Sequence, residues 1–347
     1  MPQPLPPLSE IERLLIVKTS SIGDVIHALP IVQALKKARP GLTLGWVVRR
    51  RCADVLAGSP FIDRLYVMPD KPKLGELLGL RRELRMGRYQ VALDIQGLLL
   101  SGLVTRLSGA LVRVGWDRNR EGNAVFLTHP VVPGRAQDRH EIDLLYGFAE
   151  AFGVSAAHPD FTPQPYLAAE GMGKADRWLS GLPRPRIALN VGASRAYKRW
   201  SVENWARVAA GLAAAGHPVV FIGDAQDAES VAQITPLLSG AFVDLAGKTT
   251  LRELASVLAA CDLLVTGDTG PMHVAVAVGT PVIALFGATD PRRHGPYGAR
   301  NVVLHDPAPG AMVPGRRPTE EAGAASLARI SPEDVLAAVP GKLPNNA

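Results

Sequence analysis

Apolar, β-rich runs recur along this chain, separated by stretches of helical period. They fall at residues 14–18, 42–48, 64–68, 91–95 and 112–116, then at 186–191, 218–223, 242–245, 262–266, 281–286 and 301–304. Most are continuously apolar rather than alternating. That is the pattern of strands covered on both faces, and it predicts parallel sheets sandwiched by helices, an α/β fold. Helical periodicity fills stretches such as 141–152, 203–215 and 250–260. The last opens on Thr250-Leu251-Arg252-Glu253, a capping-box pattern. Ser331-Pro332-Glu333-Asp334 starts a final helix after a Gly/Pro-rich segment, 307–323, that reads as a mobile loop.

The runs form two series. Between them lies His158-Pro159-Asp160-Phe161-Thr162-Pro163-Gln164-Pro165, a proline-rich join. A chain of 347 residues exceeds the size at which one core usually divides. The reading is therefore two doubly wound α/β domains: 1–160, a linker at 161–170, a second domain at 171–330, and a helix and tail at 331–347. The apolar fraction of 47% suffices for two cores. No window reaches the ~18 apolar residues of a membrane span, and the start, Met1-Pro2-Gln3-Pro4, lacks the basic and apolar regions of a secretion signal. A cytoplasmic location is expected. Cys52 and Cys261 fall in different halves without metal or redox spacing and read as packed thiols.

Charge divides unevenly. Residues 1–165 hold 21 of the 38 Lys/Arg and 16 of the 32 Asp/Glu, so +5 of the net +6 lies in the first half. The densest run is Lys71, Lys73, Arg81, Arg82, Arg85 and Arg88, opposed by Glu76 and Glu83. Such a run is either a solvated helix face or a surface for phosphate-rich partners. It has no aromatic residue to stack bases before Tyr89, which argues against nucleic acid.

Two strand-to-helix turns carry the candidate chemistry. Leu14 to Lys18 runs into Thr19-Ser20-Ser21-Ile22-Gly23-Asp24, and Leu263 to Thr266 runs into Gly267-Asp268-Thr269-Gly270-Pro271. Turns of this kind lie at the carboxyl edge of an α/β sheet, where ligands bind. The two aspartates are expected to face each other across one cleft. Each turn also has a purely structural reading: Asp24 as a helix N-cap, and Gly267 to Gly270 as a tight turn with Pro271 as the first helical residue. The chain lacks Gly-x-Gly-x-x-Gly, the P-loop pattern and any Asp-x-Asp pair, which argues against nicotinamide, P-loop and metal-clamp chemistry. A site of this kind neutralises phosphates with donors and cations. Asn190-Val191-Gly192-Ala193-Ser194-Arg195-Ala196-Tyr197-Lys198-Arg199-Trp200 supplies a glycine turn, a hydroxyl and cations, and the helix near Gly270 supplies backbone N–H groups.

Four separated motifs carry a resemblance. Lys18-Thr19-Ser20-Ser21-Ile22-Gly23-Asp24-Val25-Ile26-His27-Ala28-Leu29-Pro30, Asp94-Ile95-Gln96-Gly97-Leu98, Lys198-Arg199-Trp200 and Gly267-Asp268-Thr269-Gly270-Pro271-Met272-His273 occur in that order. Together they resemble the ADP-heptose:lipopolysaccharide heptosyltransferases of glycosyltransferase family nine, from about Leu14 to about Asp306. Lys18 to Ser21, and the stretch from Gln96 through Ser101, Thr105 and Gly115 to Arg120-Glu121, most resemble the heptosyltransferase I type.

The resemblance implies a GT-B architecture, two Rossmann-like domains facing a central cleft, with acceptor in the first and nucleotide sugar in the second. It implies an inverting, metal-independent transfer of heptose from ADP-heptose to the Kdo (keto-deoxyoctulosonate) sugar of inner-core lipopolysaccharide, with no cofactor. Asp24 would be the general base. Ser194 and Lys198 would meet the pyrophosphate, the backbone near Thr249 the adenine, and Asp268 the heptose hydroxyls, with Thr269, Gly270 and His273 completing that wall. The acidic ribose contact is Asp224 or Asp227. On the acceptor side Lys18, Ser20, Ser21, Gln96, Arg118 and Arg120 fit by motif, and the Lys71–Arg88 run by charge alone. Where relatives offer two adjacent hydroxyls in the phosphate loop, this chain has Ala193 before Ser194. An anionic, Kdo-bearing lipid acceptor implies peripheral association with the cytoplasmic face of the inner membrane. The alternatives are a family member using another heptose position or sugar, a sugar-nucleotide epimerase of GT-B shape, and a non-catalytic binding module.

Overall fold

The computed structural model describes residues 4–116, 121–131, 139–154, 161, 163–313 and 316–343. The chain divides into two compact units, Met1–Asp160 and Phe161–Ala347. Unit 1 contains β1 (Arg13–Val17), β2 (Thr43–Arg49), β3 (Arg64–Met68), β4 (Val91–Asp94), β5 (Val112–Trp116) and β6 (His129–Val131). They form one parallel sheet of order β3-β2-β1-β4-β5-β6. Its helices are α1 (Ile22–His27), α2 (Leu29–Ala38), α3 (Leu74–Met86), α4 (Leu99–Leu107) and α5 (Glu141–Glu150).

Unit 2 repeats the plan with β7 (Ile187–Asn190), β8 (Val219–Ile222), β9 (Phe242–Asp244), β10 (Leu263–Gly267), β11 (Val282–Phe286) and β12 (Val302–His305). Their order is β12-β11-β10-β7-β8-β9, again all parallel. Its helices are α6 (Tyr166–Ala169), α7 (Met172–Trp178), α8 (Val202–Ala214), α9 (Ala228–Ile234), α10 (Leu251–Ala259), α11 (Gly270–Val278), α12 (Pro291–His294), α13 (Glu320–Leu327) and α14 (Pro332–Ala338).

The continuous apolar runs are buried on both faces, as that pattern requires: Leu14 to Val17, Ile187 to Leu189 and Val282 to Ala284 are all fully covered. Both sheets reverse their strand order once, between β1 and β4 in unit 1 and between β7 and β10 in unit 2. Such a switch opens a crevice at the carboxyl ends of the two diverging strands. Register brings Val17 opposite Asp94 and Asn190 opposite Thr266, so the motif-bearing turns follow these switch-point strands.

The structure departs from the sequence reading in three places. The strand β6 was not expected, because Thr128-His129-Pro130-Val131 is short and carries a proline. Pro130 is tolerated because β6 is the edge of its sheet, where one row of backbone groups has no ladder to serve. The segment 307–323 is not loop throughout. Thr319 caps α13 by accepting from the Ala322 amide at 3.1 Å, and Gly323 packs against the backbone of Tyr197. Lastly, α11 begins at Gly270, so Pro271 is its second residue. The capping box at Thr250 forms as expected: its hydroxyl accepts from Glu253 N at 3.3 Å and Glu253 Oε2 from Thr250 N at 2.8 Å. A cap of this kind stabilises a helix by ~1 kcal/mol.

Candidate active site

At the carboxyl edge of unit 1, β1 ends at Val17 and the chain turns through Lys18, Thr19, Ser20 and Ser21 into α1. Ser21 is the N-cap and Asp24 the third helical residue, so Asp24 is not itself the cap but the acid of a reciprocal capping box. Its Oδ2 accepts from the Ser21 amide at 2.9 Å and the Ser21 hydroxyl at 2.6 Å. Its Oδ1 lies 3.5 Å from Nζ of Lys18, a buried lysine, while the Asp24 side chain stays 36% exposed. The carboxylate is thus held by Ser21 and Lys18 while part of its surface remains exposed.

A second layer holds that turn. Gln96 Oε1 accepts from Thr19 N at 3.0 Å and from Ser20 N at 3.2 Å, joining the end of β4 to the end of β1. The Gln96 oxygen is therefore engaged with the turn that carries Lys18 and Ser21. Beneath it, the fully buried Asp94 accepts from Gln96 N at 3.1 Å, Gly97 N at 2.9 Å and Ser101 Oγ at 3.1 Å. Burial pushes the Asp94 carboxyl up to about 6, against the opposing pull of those three donors and of Lys18. Gly97 adopts φ +71°, and a Cβ there would meet the Trp116 indole at 2.9 Å, so only glycine fits this bend. Arg118 and Arg120, expected on the acceptor side, lie outside the described residues.

In unit 2 the switch point joins β7 and β10. Asn190 Nδ2 reaches three acceptors: Gly192 O at 3.2 Å, Thr266 Oγ1 at 3.0 Å and Thr269 Oγ1 at 3.0 Å. Thr269 is the N-cap residue of α11 and Gly270 its first residue; a Cβ on Gly270 would have open space around it. His273, half-buried, sits in the first turn of the same helix. Lys198 Nζ contacts Asp268 Oδ2 at 2.6 Å, and Thr289 Oγ1 donates to the same oxygen at 2.9 Å. Ser194 is exposed on the loop before Lys198, and Arg199 Nε braces that loop by donating to Ala193 O at 2.8 Å.

The two acids after β8 differ in environment. Asp227 is buried and its Oδ2 accepts from Asp224 N at 2.9 Å. Glycine is required opposite it, since a Cβ on Gly192 would lie 1.7 Å from Asp227 Oδ1. Burial raises the Asp227 carboxyl above its ordinary value, the Asp224 amide opposing. Asp224 is exposed and its Oδ1 accepts from Gln226 N at 2.8 Å. Thr249 precedes the N-cap of α10, two residues beyond Gly247, whose amide donates to Gly223 O at 3.0 Å.

Each unit thus gathers its own set. Lys18, Ser20, Ser21, Asp24 and Gln96 meet at the β1/β4 edge; Ser194, Lys198, Asp268, Thr269 and Gly270 meet at the β7/β10 edge, with Asp224 and Asp227 on the adjoining β8 turn. Among the described residues no hydrogen bond or ion pair links the Lys71–Arg88 run to either set. The run extends along the whole of α3, from Lys71 and the N-cap Lys73 near the carboxyl end of β3 to Arg88 before the amino end of β4. The sequence reading gave no role to Asp94 or Asn190 and passed over Thr289. The signal for Asp94 was present, since it ends an apolar run on a strand that neighbours the first. Thr289 carried none, because its place follows from the β10–β11 pairing.

The chain matches the profile of glycosyltransferase family 9 (heptosyltransferase) over residues 77–316. It is similar to lipopolysaccharide heptosyltransferase 1 of Escherichia coli K12, with 30% identity over 314 residues, 85% of this chain and 94% of that one. It is similar also to lipooligosaccharide heptosyltransferase 2 of Haemophilus influenzae, at 29% over 342 residues, 93% and 97% of the two chains. Among solved structures it resembles the E. coli heptosyltransferase WaaC with ADP, at TM-score 0.74 and 26% identity, covering 95% of this chain and 99% of that one. The last match carries the paired α/β units of the GT-B fold.

Proposed function

Because this chain belongs to glycosyltransferase family 9, the heptosyltransferases, we propose that it transfers heptose from ADP-heptose to the Kdo sugar of inner-core lipopolysaccharide, by inversion and without a metal. Asp24 carries the reading: a partly exposed carboxylate anchored by Ser21 and Lys18 at the switch-point edge of unit 1. In the proposed reaction Asp24 takes the proton of the acceptor hydroxyl as that oxygen forms a bond to the anomeric carbon. The bond from that carbon to the β-phosphate oxygen breaks, and ADP leaves with the electron pair. A positioned base contributes ~10²–10⁴-fold to such a step.

Unit 2 is the proposed donor domain. Lys198 and Ser194 meet the pyrophosphate, with the amides at the start of α11 facing the same charge. Asp268, Thr269, Gly270 and His273 line the heptose, Asp224 reaches the ribose as the exposed acid of the β8 turn, and Asp227 holds that turn in place. The backbone near Thr249 borders the adenine. Unit 1 is the proposed acceptor domain, with Lys18, Ser20 and Ser21 beside the base and Gln96 setting the turn that carries them. Arg118 and Arg120 are proposed as further acceptor cations.

The heptosyltransferase I assignment rests on Lys18 to Ser21 and the Gln96 to Glu121 stretch; the similarity to a heptosyltransferase 2 keeps the second heptose position as the alternative. Purified protein incubated with ADP-heptose and either Kdo-lipid A or the same lipid already bearing one heptose separates the two. Product on the first acceptor alone is expected. Product on the second alone moves the assignment to the second position, and product on neither overturns the reading.

A further inference from the structure

The helix α3 presents a face that the fold does not use. Inward, Leu80 and Leu84 are buried and Leu77 is partly covered, packed in the core with Leu15, Val47 and Tyr66. Outward, Leu74 is 74% exposed, Leu78 55% and Met86 61%, an unusual set of large apolar side chains for one thirteen-residue helix. Leu74, Leu78, Arg82 and Met86 follow one another at four-residue spacing and share that face, with Arg81 and Arg85 alongside, both exposed. Beside its C-terminal end, Arg85 packs against Gly109, and two residues on Leu111 is 85% exposed. The acids lie off this face. Glu76 is engaged at the helix start, where its Oε2 accepts from Lys73 N at 2.6 Å, and Glu83, two residues before Arg85, falls on another side of the helix.

We propose that this face of α3 is an interfacial docking helix for an anionic bilayer, lying in the membrane plane. Leu74, Leu78 and Met86 enter the boundary between headgroups and acyl chains, while Arg81, Arg82 and Arg85 reach lipid phosphates. Interleaving decides the occupant. A protein groove takes a continuous apolar stripe, whereas here Leu78 neighbours Arg81 and Arg82, Met86 neighbours Arg82 and Arg85, and Leu74 follows Lys73, cations whose stems can lie along hydrocarbon with their charge at the phosphates. Lys71, Lys73 and Arg88 extend the positive surface past both helix ends, the complement of an anionic leaflet. Among the described residues no helix is long and apolar enough to cross a membrane. The α3 face owes nothing to the sugar chemistry. A protein that binds vesicles through α3 but transfers no heptose would overturn the functional reading and leave this one intact.

The test is sedimentation of the full chain with phosphatidylglycerol/phosphatidylcholine vesicles and with phosphatidylcholine alone, at low and high salt. The protein is expected on the anionic vesicles only. Arg81→Gln, Arg82→Gln and Arg85→Gln together should weaken binding by roughly 10²-fold at low salt. Leu74→Ser, Leu78→Ser and Met86→Ser together should abolish the fraction that persists at high salt while leaving the melting temperature near that of the parent chain. A parent chain that ignores vesicles, or six substitutions that leave binding unchanged, overturns the proposal. So does α3-dependent self-association without vesicle binding, which would make the face a protein interface. Should the serine variant melt early, Leu78→Cys labelled with a polarity-sensitive dye reads insertion directly, the native Cys52 and Cys261 being buried. A blue shift on adding anionic vesicles is expected, and an unchanged spectrum refutes insertion.

Discussion

Lys198 and Asp268 are ion-paired at 2.6 Å, although they follow different strands of the unit 2 sheet and have been proposed to meet different parts of one ligand. The pair ties the β7 loop to the β10 turn. Asp268 is buried, and Thr289 Oγ1 donates to the same carboxylate oxygen as Lys198. Losing the lysine therefore has two separable effects, one on the fold of unit 2 and one on the donor.

Lys198→Ala should lower the melting temperature by leaving a buried carboxylate short of its cation, a cost of about 1–3 kcal/mol given that the lysine is partly exposed. It should also weaken ADP binding by ~10- to 150-fold, the worth of a charge-assisted contact. The double variant with Asp268→Ala should regain much of the stability without regaining ADP affinity. Calorimetric titration with ADP is the measurement, and unchanged affinity in the single variant removes Lys198 from the phosphate site.

Asp24→Asn keeps an oxygen to accept from Ser21 N, so α1 should stay capped and the melting temperature should move little. The amide cannot take a proton, and heptosyl transfer should fall at least ~10²-fold with ADP binding unchanged. Near-normal turnover would mean that Asp24 only builds the turn and that another group is the base.

Gln96→Ala removes the acceptor from Thr19 N and Ser20 N. Two backbone donors in a half-buried turn would then seek other partners, at ~1–3 kcal/mol each if they find none. The expected kinetic signature is a lower kcat with donor KM unchanged, since the change reaches the base through its turn and leaves unit 2 alone. An unaltered kcat would show that Ser21 and Lys18 suffice to hold Asp24.

The carboxyl of Asp94 sits at about 6 in the folded chain, above its ordinary 3.8. The folded state binds this proton more tightly than the unfolded one, so the penalty of burying the charge stands in full above about 6 and is relieved as the pH falls toward 4. Relative to Asp94→Asn, the parent chain should gain on the order of 3 kcal/mol of stability between pH about 7 and about 4. Urea unfolding of both across that range tests it. A constant difference would mean that the carboxyl is not shifted.

What the sequence reveals here depends on how local the cause is. A strand covered on both faces is apolar along most of its length, as β1, β4, β7, β8, β10 and β11 are, while the outer strands β3, β9 and β12 are legible as β-rich apolar runs though partly exposed. The exception, β6, is three residues long and holds Pro130, and what makes it a strand is the neighbouring β5 rather than its own composition. The glycine–aspartate turns are equally visible, because a turn between buried strand and helix has few residue choices. The support beneath them is not. Gln96 meets Thr19 across 77 residues, and only the strand order that sets β4 beside β1 brings them together. The capping role of Ser21 was obscured by the aspartate three residues on, which has the chemistry of a cap as well as of a base.

The near-contact of Gly192 with Asp227 carries an evolutionary consequence. No side chain fits at 192 while a carboxylate occupies 227, so the two positions have to change together. In an alignment of related chains, residues aligned with Gly192 that bear a side chain should coincide with a shorter residue or glycine aligned with Asp227, and their covariation would be a record of packing rather than of substrate choice.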